Sequence, residues 1–126
     1  MDFPKELKYT EDHEWIKVDG NVGIIGITDH AQSELGDIVY IDIPDDEAEL
    51  DKDETMGTIE AVKTVADLNA PVSGKIVEVN EDLNDAPETV NSDPYNKGWI
   101  LKVELKDKSE LDDLMDADAY KAKVEG

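Results

Sequence analysis

The chain has 126 residues and a mass of 14.0 kDa, which predicts a single domain over residues 1–126. Its 12 basic residues, all lysines, oppose 33 acidic residues and leave a formal net charge of −21 at pH 7. Nucleic acids and anionic membranes would repel such a surface, so neither is expected as a partner. The absence of cysteine excludes disulfides, thiolate nucleophiles and cysteine-ligated metals.

No apolar segment suggests export or membrane insertion. The first eight residues lack the hydrophobic stretch of a signal peptide, and no apolar run reaches the length of a transmembrane helix. We therefore expect a cytoplasmic protein.

The chain begins with signals for a hairpin followed by a helix. Residues 15–27 predict a β-hairpin, because Asp19-Gly20 interrupts two runs rich in β-branched residues. Residues 28–36 predict a short helix with Thr28 as its N-cap and Gly36 at its end.

A strand and an acidic segment follow. Residues 37–43 predict a strand with Val39, Ile41 and Ile43 on one face, ended by Pro44. The run 45–54 has few apolar residues and predicts a solvated loop.

The second half predicts two more strands joined by a long acidic connection that contains Pro87 and Pro94. The first strand is 75–79. The second is 99–105, where one face would carry Trp99, Leu101, Val103 and Leu105. Trp15 and Trp99 are expected in the core.

The C-terminal tail predicts helix. Ser109 is a candidate cap, and Asp116 is a candidate cap for a last turn through Tyr120. Short strands with sparse helices indicate an antiparallel, β-rich domain with peripheral helices.

Residues 56–68 fit two structures on pattern alone. Ile59, Val62 and Ala66 recur at helical spacing, whereas the abundance of β-branched residues between Gly57 and Pro71 favours strands. No Gly or Asn turn marks Val62-Lys63, so periodicity leaves the two structures open.

The sequence offers little for a self-sufficient enzyme. His13 and His30 each lie beside acidic residues, but a chain this acidic produces such pairs by chance, so structural or surface roles are favoured over a metal site or general base. Phosphate-binding loops, nucleophile elbows and HExxH motifs are absent. Lys63 is the only cation between Lys52 and Lys75, and spacing alone would make it a solvated charge.

A resemblance gives Lys63 a more specific interpretation. The segment Glu60-Ala61-Val62-Lys63-Thr64, with Gly57 before it and Ala70-Pro71-Val72-Ser73-Gly74-Lys75-Ile76 after it, resembles the lipoyl-attachment signature of the glycine cleavage system H protein family. Further segments resemble that family in the same order: His13-Glu14-Trp15, Gly26-Ile27-Thr28-Asp29-His30-Ala31-Gln32, Leu35-Gly36-Asp37-Ile38-Val39-Tyr40 and Gly98-Trp99. The resemblance covers essentially the whole chain.

The resemblance implies a mainly β fold, a barrel-sandwich hybrid of two antiparallel sheets with a short internal helix and C-terminal helices. It places Lys63 at the exposed tip of a hairpin, which overrides a helical interpretation of residues 59–68. A hairpin tip presents one side chain to an outside enzyme, whereas a helix face crowds it with neighbours one turn away.

The implied function is that of a carrier and not of an enzyme. A lipoate ligase or a lipoyl/octanoyl transferase would join lipoic acid to Lys63, with Glu60, Gly57 and Gly74 contributing to recognition of the attachment motif. The lipoyl arm would shuttle an aminomethyl group from the P-protein to the T-protein and then be reoxidised by the L-protein. Glu14 and Asp67 are the residues that the resemblance offers for holding the loaded arm in a cleft. We expect a monomer without metal.

Other functions fit parts of the same sequence. A biotinyl carrier would have Met beside the lysine, where this chain has Val62 and Thr64. A lipoyl domain of a 2-oxoacid dehydrogenase acyltransferase would lack the His13-Glu14-Trp15 stretch and the C-terminal tail. A lipoyl relay protein that donates lipoyl groups to 2-oxoacid dehydrogenase subunits, and an unmodified acidic interaction module, remain as alternatives.

Overall fold

The computed structural model describes residues 3–43 and 49–125. Within these ranges the strands are β1 (Lys8–Tyr9), β2 (Glu14–Asp19), β3 (Val22–Ile27), β4 (Ile38–Asp42), β5 (Glu49–Leu50), β6 (Thr55–Ala61), β7 (Val65–Asn69), β8 (Gly74–Val79) and β9 (Leu101–Leu105). The α-helices are α1 (Asp29–Leu35), α2 (Asp82–Asp85), α3 (Thr89–Ser92) and α4 (Ala117–Glu125), and a 3-10 helix spans Lys108–Asp113. None of the helices in these ranges has the length and apolarity to span a bilayer.

The strands form two antiparallel sheets that enclose one apolar core. One sheet has the order β1-β2-β3-β9-β8-β5 and the other β4-β6-β7. Both contribute to the main cluster of buried side chains, with Ile16 and Leu101 from the six-stranded sheet meeting Ile41 and Ile59 from the three-stranded sheet. This architecture, with α1 inside the chain and helices at its end, confirms the predicted barrel-sandwich hybrid.

The first hairpin and the first helix are confirmed. Asp19 pairs with Val22 across the turn between β2 and β3, and Gly20 has a φ of +64°, a conformation that glycine adopts without strain. The Thr28 hydroxyl accepts a hydrogen bond from the Ala31 N–H, and Gly36 ends α1 with a φ of +77°.

A β-bulge overturns one prediction about β4. The register pairs Ile38 with Ala61 and Tyr40 with Glu60, which leaves Val39 as an extra residue. Ile38 and Ile41 are therefore both buried, while Val39 and Tyr40 are 52% and 49% exposed. The prediction that Val39 faces the core was wrong, because a bulge interrupts the simple alternation of a strand.

The six-stranded sheet contains a matching irregularity in β8. Ile76 pairs with Val103 and Glu78 with Lys102, so Val77 is the extra residue and is 43% exposed. The two bulges occupy similar sequences, Gly36-Asp37-Ile38-Val39-Tyr40-Ile41 and Gly74-Lys75-Ile76-Val77-Glu78-Val79.

The prediction of a solvated loop over 45–54 was wrong at Glu49–Leu50. These residues form the edge strand β5, paired with Lys75 and Gly74 of β8. Leu50 is buried in the main core, which gives this short strand an anchor. Residues 45–48 of the predicted loop lie outside the described residues.

The last strand in the chain, β9, is shorter than predicted. It begins at Leu101, whose side chain is buried together with that of Val103. Trp99 precedes the strand and is only partly buried, with the Lys102 Nζ 4.9 Å from its ring centroid. Ile100 takes a core position instead. The predicted common face is confirmed for Leu101, Val103 and Leu105, which all pack in or against the main core, and was wrong for Trp99, because the alternation does not extend beyond the ladder.

Two one-turn helices occupy what was predicted as an acidic connection between strands. The helices α2 and α3 bury Leu83 and Val90 respectively in the main core. These single apolar residues secure the connection against the sheets.

The tail is helical as predicted, with a different first cap. Asp107 accepts a hydrogen bond from the Ser109 N–H at 3.0 Å and so caps the 3-10 helix, which corrects the assignment of that role to Ser109. Asp116 accepts from the Ala119 N–H at 2.8 Å, which confirms it as the cap of α4. That helix continues past Tyr120 to Glu125.

A second apolar cluster attaches α4 to the six-stranded sheet. The rings of Tyr9 and Tyr120 stack with centroids 4.6 Å apart. Trp15, predicted as core, is 1% exposed and donates its indole N–H to the Pro94 carbonyl at 3.0 Å. Gly26 lies directly against this ring, since a Cβ there would be 2.7 Å from it.

The contact between Gly26 and Trp15 predicts a large effect of a small change. Gly26→Ala should lower the free energy of unfolding by about 2 kcal/mol, because the buried indole would have to move away from the new methyl group. Gly20→Asn is the control, since nothing lies within 4 Å of a Cβ at Gly20 and Asn tolerates a positive φ. Denaturant titration of both variants measures the difference, and equal stabilities would contradict the prediction.

Candidate functional site

The segment that was ambiguous in the sequence forms a β-hairpin. The strands β6 and β7 pair from Thr55–Asn69 to Glu60–Val65, and the Ala61 N–H donates to the Thr64 carbonyl at 2.8 Å. Lys63 lies in the three-residue tip and is exposed. The Lys63 Nζ has no ion-pair partner in the part of the chain that the structure describes.

The hairpin tip rests on the turn between α1 and β4. The Val62 N–H donates to the Asp37 carbonyl at 3.0 Å. The Lys63 stem crosses Gly36, where a Cβ would lie 3.1 Å from the lysine Cε. A glycine at this position therefore leaves room for the stem.

Asn91 of α3 fixes the turn that supports the tip. Its Oδ1 accepts from the Ile38 N–H at 2.9 Å, and its Nδ2 donates to the Gly36 carbonyl at 2.8 Å. A single amide thus satisfies backbone groups on both sides of the turn. The base of the lysine stem is held by a defined network while the amine stays in solvent.

Two of the other predicted motif residues lie on the hairpin strand β6, and the third lies in the six-stranded sheet. Glu60 is exposed on β6, three residues before Lys63. Gly57 lies on the same strand, where a Cβ would meet the Asp42 carbonyl oxygen at 2.4 Å. Gly74 is in the six-stranded sheet, where a Cβ would meet the Glu104 carbonyl oxygen at 2.4 Å. Both glycines permit close approach of two strands.

A cleft of about 150 Å³ lies between α1 and β7. Ala31, Leu35 and Ile59 form much of its apolar wall, and Glu14 and Asp67 both line it. Leu35, the residue before Gly36, is the lining residue closest in sequence to the turn that supports the lysine stem. A larger cleft of about 430 Å³ beside β4 and α2 contains neither Lys63 nor Glu14.

Glu14 is a buried acid that joins the two sheets. Its Oε1 accepts from the Thr10 hydroxyl at 2.7 Å, and its Oε2 accepts from the Asn69 N–H of β7 at 3.2 Å. Burial raises the pKa of Glu14 to about 7, although these two hydrogen bonds oppose the shift. Near neutral pH the Glu14 carboxyl group in the cleft is therefore only partly ionised.

Asp67 lies at the rim of the same cleft. It pairs with Thr58 across the hairpin, and its side chain is exposed. The fold thus brings Glu14 and Asp67, which are 53 positions apart in the sequence, to one cavity. Glu14 is buried there, whereas Asp67 is exposed to solvent.

The two histidines form a structural cluster next to the cleft. The Tyr120 hydroxyl lies 2.8 Å from His13 Nδ1 and 2.7 Å from Thr28 Oγ1, and the His13 and His30 rings have centroids 4.6 Å apart. Burial lowers the pKa of His13, and the proximity of His30 lowers it further. The described residues contain no group of three His, Cys, Asp or Glu placed to bind a metal ion.

Sequence reasoning missed the residues that position this site. Thr10 and Asn69 hold Glu14, and Asn91 holds the base of the tip, yet none of the three lies in a recognisable motif. Asn69 acts through its backbone N–H, which no side-chain pattern could indicate. The position of Asn69 as the last residue of β7 is the only feature that could have suggested a contact with the other sheet.

Comparison with known proteins decides the family. Residues 7–126 match the family model described as glycine cleavage H-protein. The chain belongs to the glycine cleavage H-protein family. The glycine cleavage system H proteins of Brevibacillus brevis and Staphylococcus haemolyticus are 57% and 56% identical to it over 124 residues, 98% of each chain.

A solved structure of a family member has the same fold. The crystal structure of a glycine cleavage system H protein from Mycobacterium marinum matches with a TM-score of 0.86 and 37% identity, covering 95% of this chain and 97% of that one. The glycine cleavage H-protein family supplies the carrier component of its system and not one of the catalysts. The exposed tip and its adjoining cleft therefore belong to a carrier.

The buried Glu14 carboxyl predicts a pH-dependent stability difference. An unfolded Glu ionises near pH 4.5, whereas the folded group ionises near pH 7, so the folded state loses stability as pH rises between these values. Glu14→Gln has no ionisable group at this position and lacks this loss. The free energy of unfolding of the variant minus that of wild type should therefore be about 3 kcal/mol larger at pH 8 than at pH 4.5. Urea unfolding across that range tests it. Glu104→Gln, an exposed control, should parallel wild type, and a parallel curve for Glu14→Gln would refute the assignment.

Proposed function

We propose that this protein carries a lipoyl group as an amide on Lys63 and serves as the shuttle of the glycine cleavage system. The observation that carries the proposal is the exposed Lys63 at a hairpin tip, with its stem over Gly36 at the end of the helix that also lines the cleft. We further propose that residues 1–126 form one carrier domain that acts as a cytoplasmic monomer.

The residues at the tip suit attachment of the cofactor by another enzyme. The Lys63 amine is reachable because only its stem is supported, by Gly36, while the neighbouring Val62 N–H is hydrogen-bonded to the Asp37 carbonyl. Glu60 is exposed on the same hairpin and is available for recognition, while Gly57 and Gly74 act indirectly by letting strands approach closely. The partner proposed for this attachment is a lipoate ligase or a lipoyl/octanoyl transferase.

Lys63 would hold the lipoyl group, which would supply a dithiolane able to carry an aminomethyl group between the P-protein and the T-protein and to be reoxidised by the L-protein. The chain contributes the tether, which keeps the reactive end at a high effective concentration near each docked enzyme. Its acidic surface favours brief, salt-sensitive encounters with basic surfaces of those enzymes.

The cleft supports a sheltering role between encounters. Its apolar wall suits the hydrocarbon part of an arm, and its four acids, Asp12, Glu14, Glu34 and Asp67, suit a cationic amine at the far end. Among the described residues, Glu14 is held by Thr10 and Asn69 and has no basic partner, so an incoming ammonium would favour its ionised form. Asp67, at the rim, would meet the same cation with less desolvation.

Substitution of the attachment lysine tests the function directly. Intact mass should show one lipoyl adduct on wild type and on Lys75→Arg after reaction with lipoate ligase, and none on Lys63→Arg, because Arg does not form the amide. With P-protein added, glycine-dependent aminomethyl loading should vanish only for Lys63→Arg. Equal loading of both variants would end the proposal. An adduct on wild type that never loads from glycine would favour the lipoyl relay alternative.

Loss of the buried acid should weaken retention of the loaded arm. Glu14→Gln on lipoylated protein should speed the loss of the aminomethyl group to water by about tenfold, because a charge-assisted hydrogen bond is replaced by a neutral one. In wild type, retention should fall as pH drops below about 7, since the Glu14 carboxylate becomes protonated there, and the variant should lack this step. Ammonia release after removal of the P-protein measures both effects.

Glu104→Gln is the matched control, because its carboxylate is exposed on β9 and does not line the cleft. It should retain the arm as wild type does. Identical pH profiles for wild type and Glu14→Gln would show that Glu14 does not hold the loaded arm.

A further inference from the structure

Exposed apolar side chains are concentrated around the hairpin tip. Val39, Tyr40, Val62 and Val65 are 52%, 49%, 75% and 62% exposed. Of the large hydrophobic residues exposed in the described ranges, only Val18 and Val77 lie elsewhere. We call these four residues the apolar collar. Contiguous apolar surface on a soluble domain marks a place where another molecule binds.

The strand register places Tyr40 and Val65 of the collar on one face of the sheet, on either side of Glu60. Tyr40 pairs with Glu60, and Glu60 pairs with Val65, so these three side chains stand in one row across the outer face of the three-stranded sheet. Neighbouring strands lie about 4.8 Å apart, which brings the row into contact range. Val62 and Lys63 follow directly beyond this row, so the collar ends at the lysine.

The bulge at Val39 enlarges the collar. In a regular strand without the bulge, Val39 and Tyr40 would point to opposite faces of the sheet. The bulge instead exposes two consecutive residues while Ile38 and Ile41 both stay in the core. Bulges recur where a side chain is redirected for function, and here the redirected side chain is an exposed valine near the attachment lysine.

Apart from Lys63 itself, the charged side chains on the strands of the collar are all acidic. The strands β4, β6 and β7 contain no basic residue. A second row on the same outer face pairs Asp42 with Thr58 and Thr58 with Asp67, next to the row that holds Glu60. A complementary partner therefore presents an apolar surface bordered by basic side chains.

We propose that the apolar collar is the surface on which the enzyme that acylates Lys63 docks, an inference that rests on the proposed function. In that reaction the lysine Nζ attacks the carbonyl carbon of an acyl adenylate, the carbon–oxygen bond to AMP breaks, AMP leaves, and the amine releases its proton to solvent. The new bond forms at the hairpin tip itself, so this enzyme must cover the tip. Enzymes that act on the far end of the arm reach their target at a distance from the collar.

The double variant Val39→Ser/Tyr40→Ser tests the proposal, with Val77→Ser as the matched control. Val77 is also an exposed valine at a β-bulge, but it lies in the other sheet. The probe is a purified lipoate ligase with lipoate and ATP, and intact mass follows the initial rate of adduct formation. The double variant should lose about tenfold in kcat/KM, mostly through KM, because buried apolar anchors dominate protein recognition. The control should stay within about twofold of wild type.

Two further measurements separate the possible outcomes. If wild type receives no adduct on Lys63, the proposed function fails; if wild type and the double variant react equally fast, only the docking inference fails. After prolonged reaction has fully lipoylated both proteins, their reoxidation by the L-protein should proceed at equal rates. An unchanged attachment rate together with slower reoxidation would show that the collar binds a different enzyme, which overturns the proposal. Denaturant midpoints confirm that both variants fold.

Discussion

A buried carboxyl group that bridges the two sheets is the interaction on which the cleft depends. Glu14 comes from β2, and the Asn69 N–H that it binds comes from β7, so their hydrogen bond fixes the spacing of the cavity walls. Burying a carboxylate is costly unless it is hydrogen-bonded, and Thr10 supplies the second partner. The Glu14 carboxyl group occupies a buried position where a well-packed core would have an apolar side chain. Such departures from good core packing are typical of functional sites.

The attachment tip combines a rigid base with a free end. Asn91 holds the turn at Gly36, the turn holds the backbone at Val62, and the Lys63 amine projects beyond them. A tether anchored this way starts from a defined point, so the region that its far end can reach is limited by the length of the arm and not by motion of the hairpin. The cleft wall at Leu35 lies next to that starting point.

Sequence patterns predicted the fold where local signals agreed, and failed where distant contacts decided. The turn at Gly20 and the caps at Thr28 and Asp116 were predictable because each acts within a few residues. The hairpin at residues 55–69 needed the family resemblance, since its periodicity suited helix and strand alike. The outward turn of Val39 depends on a register with another strand, and Glu14's partner is a backbone group far along the chain, so neither leaves a trace in local periodicity.

The β-bulges at Val39 and Val77 share a short sequence pattern. Two hexapeptides that share glycine, isoleucine and valine at the same positions turn the same valine outward in separate sheets with unrelated neighbours. The same irregularity therefore occurs with one short sequence pattern in two different packing environments. A designer of curved β-sheets could try this pattern where an alternating strand must expose two successive side chains.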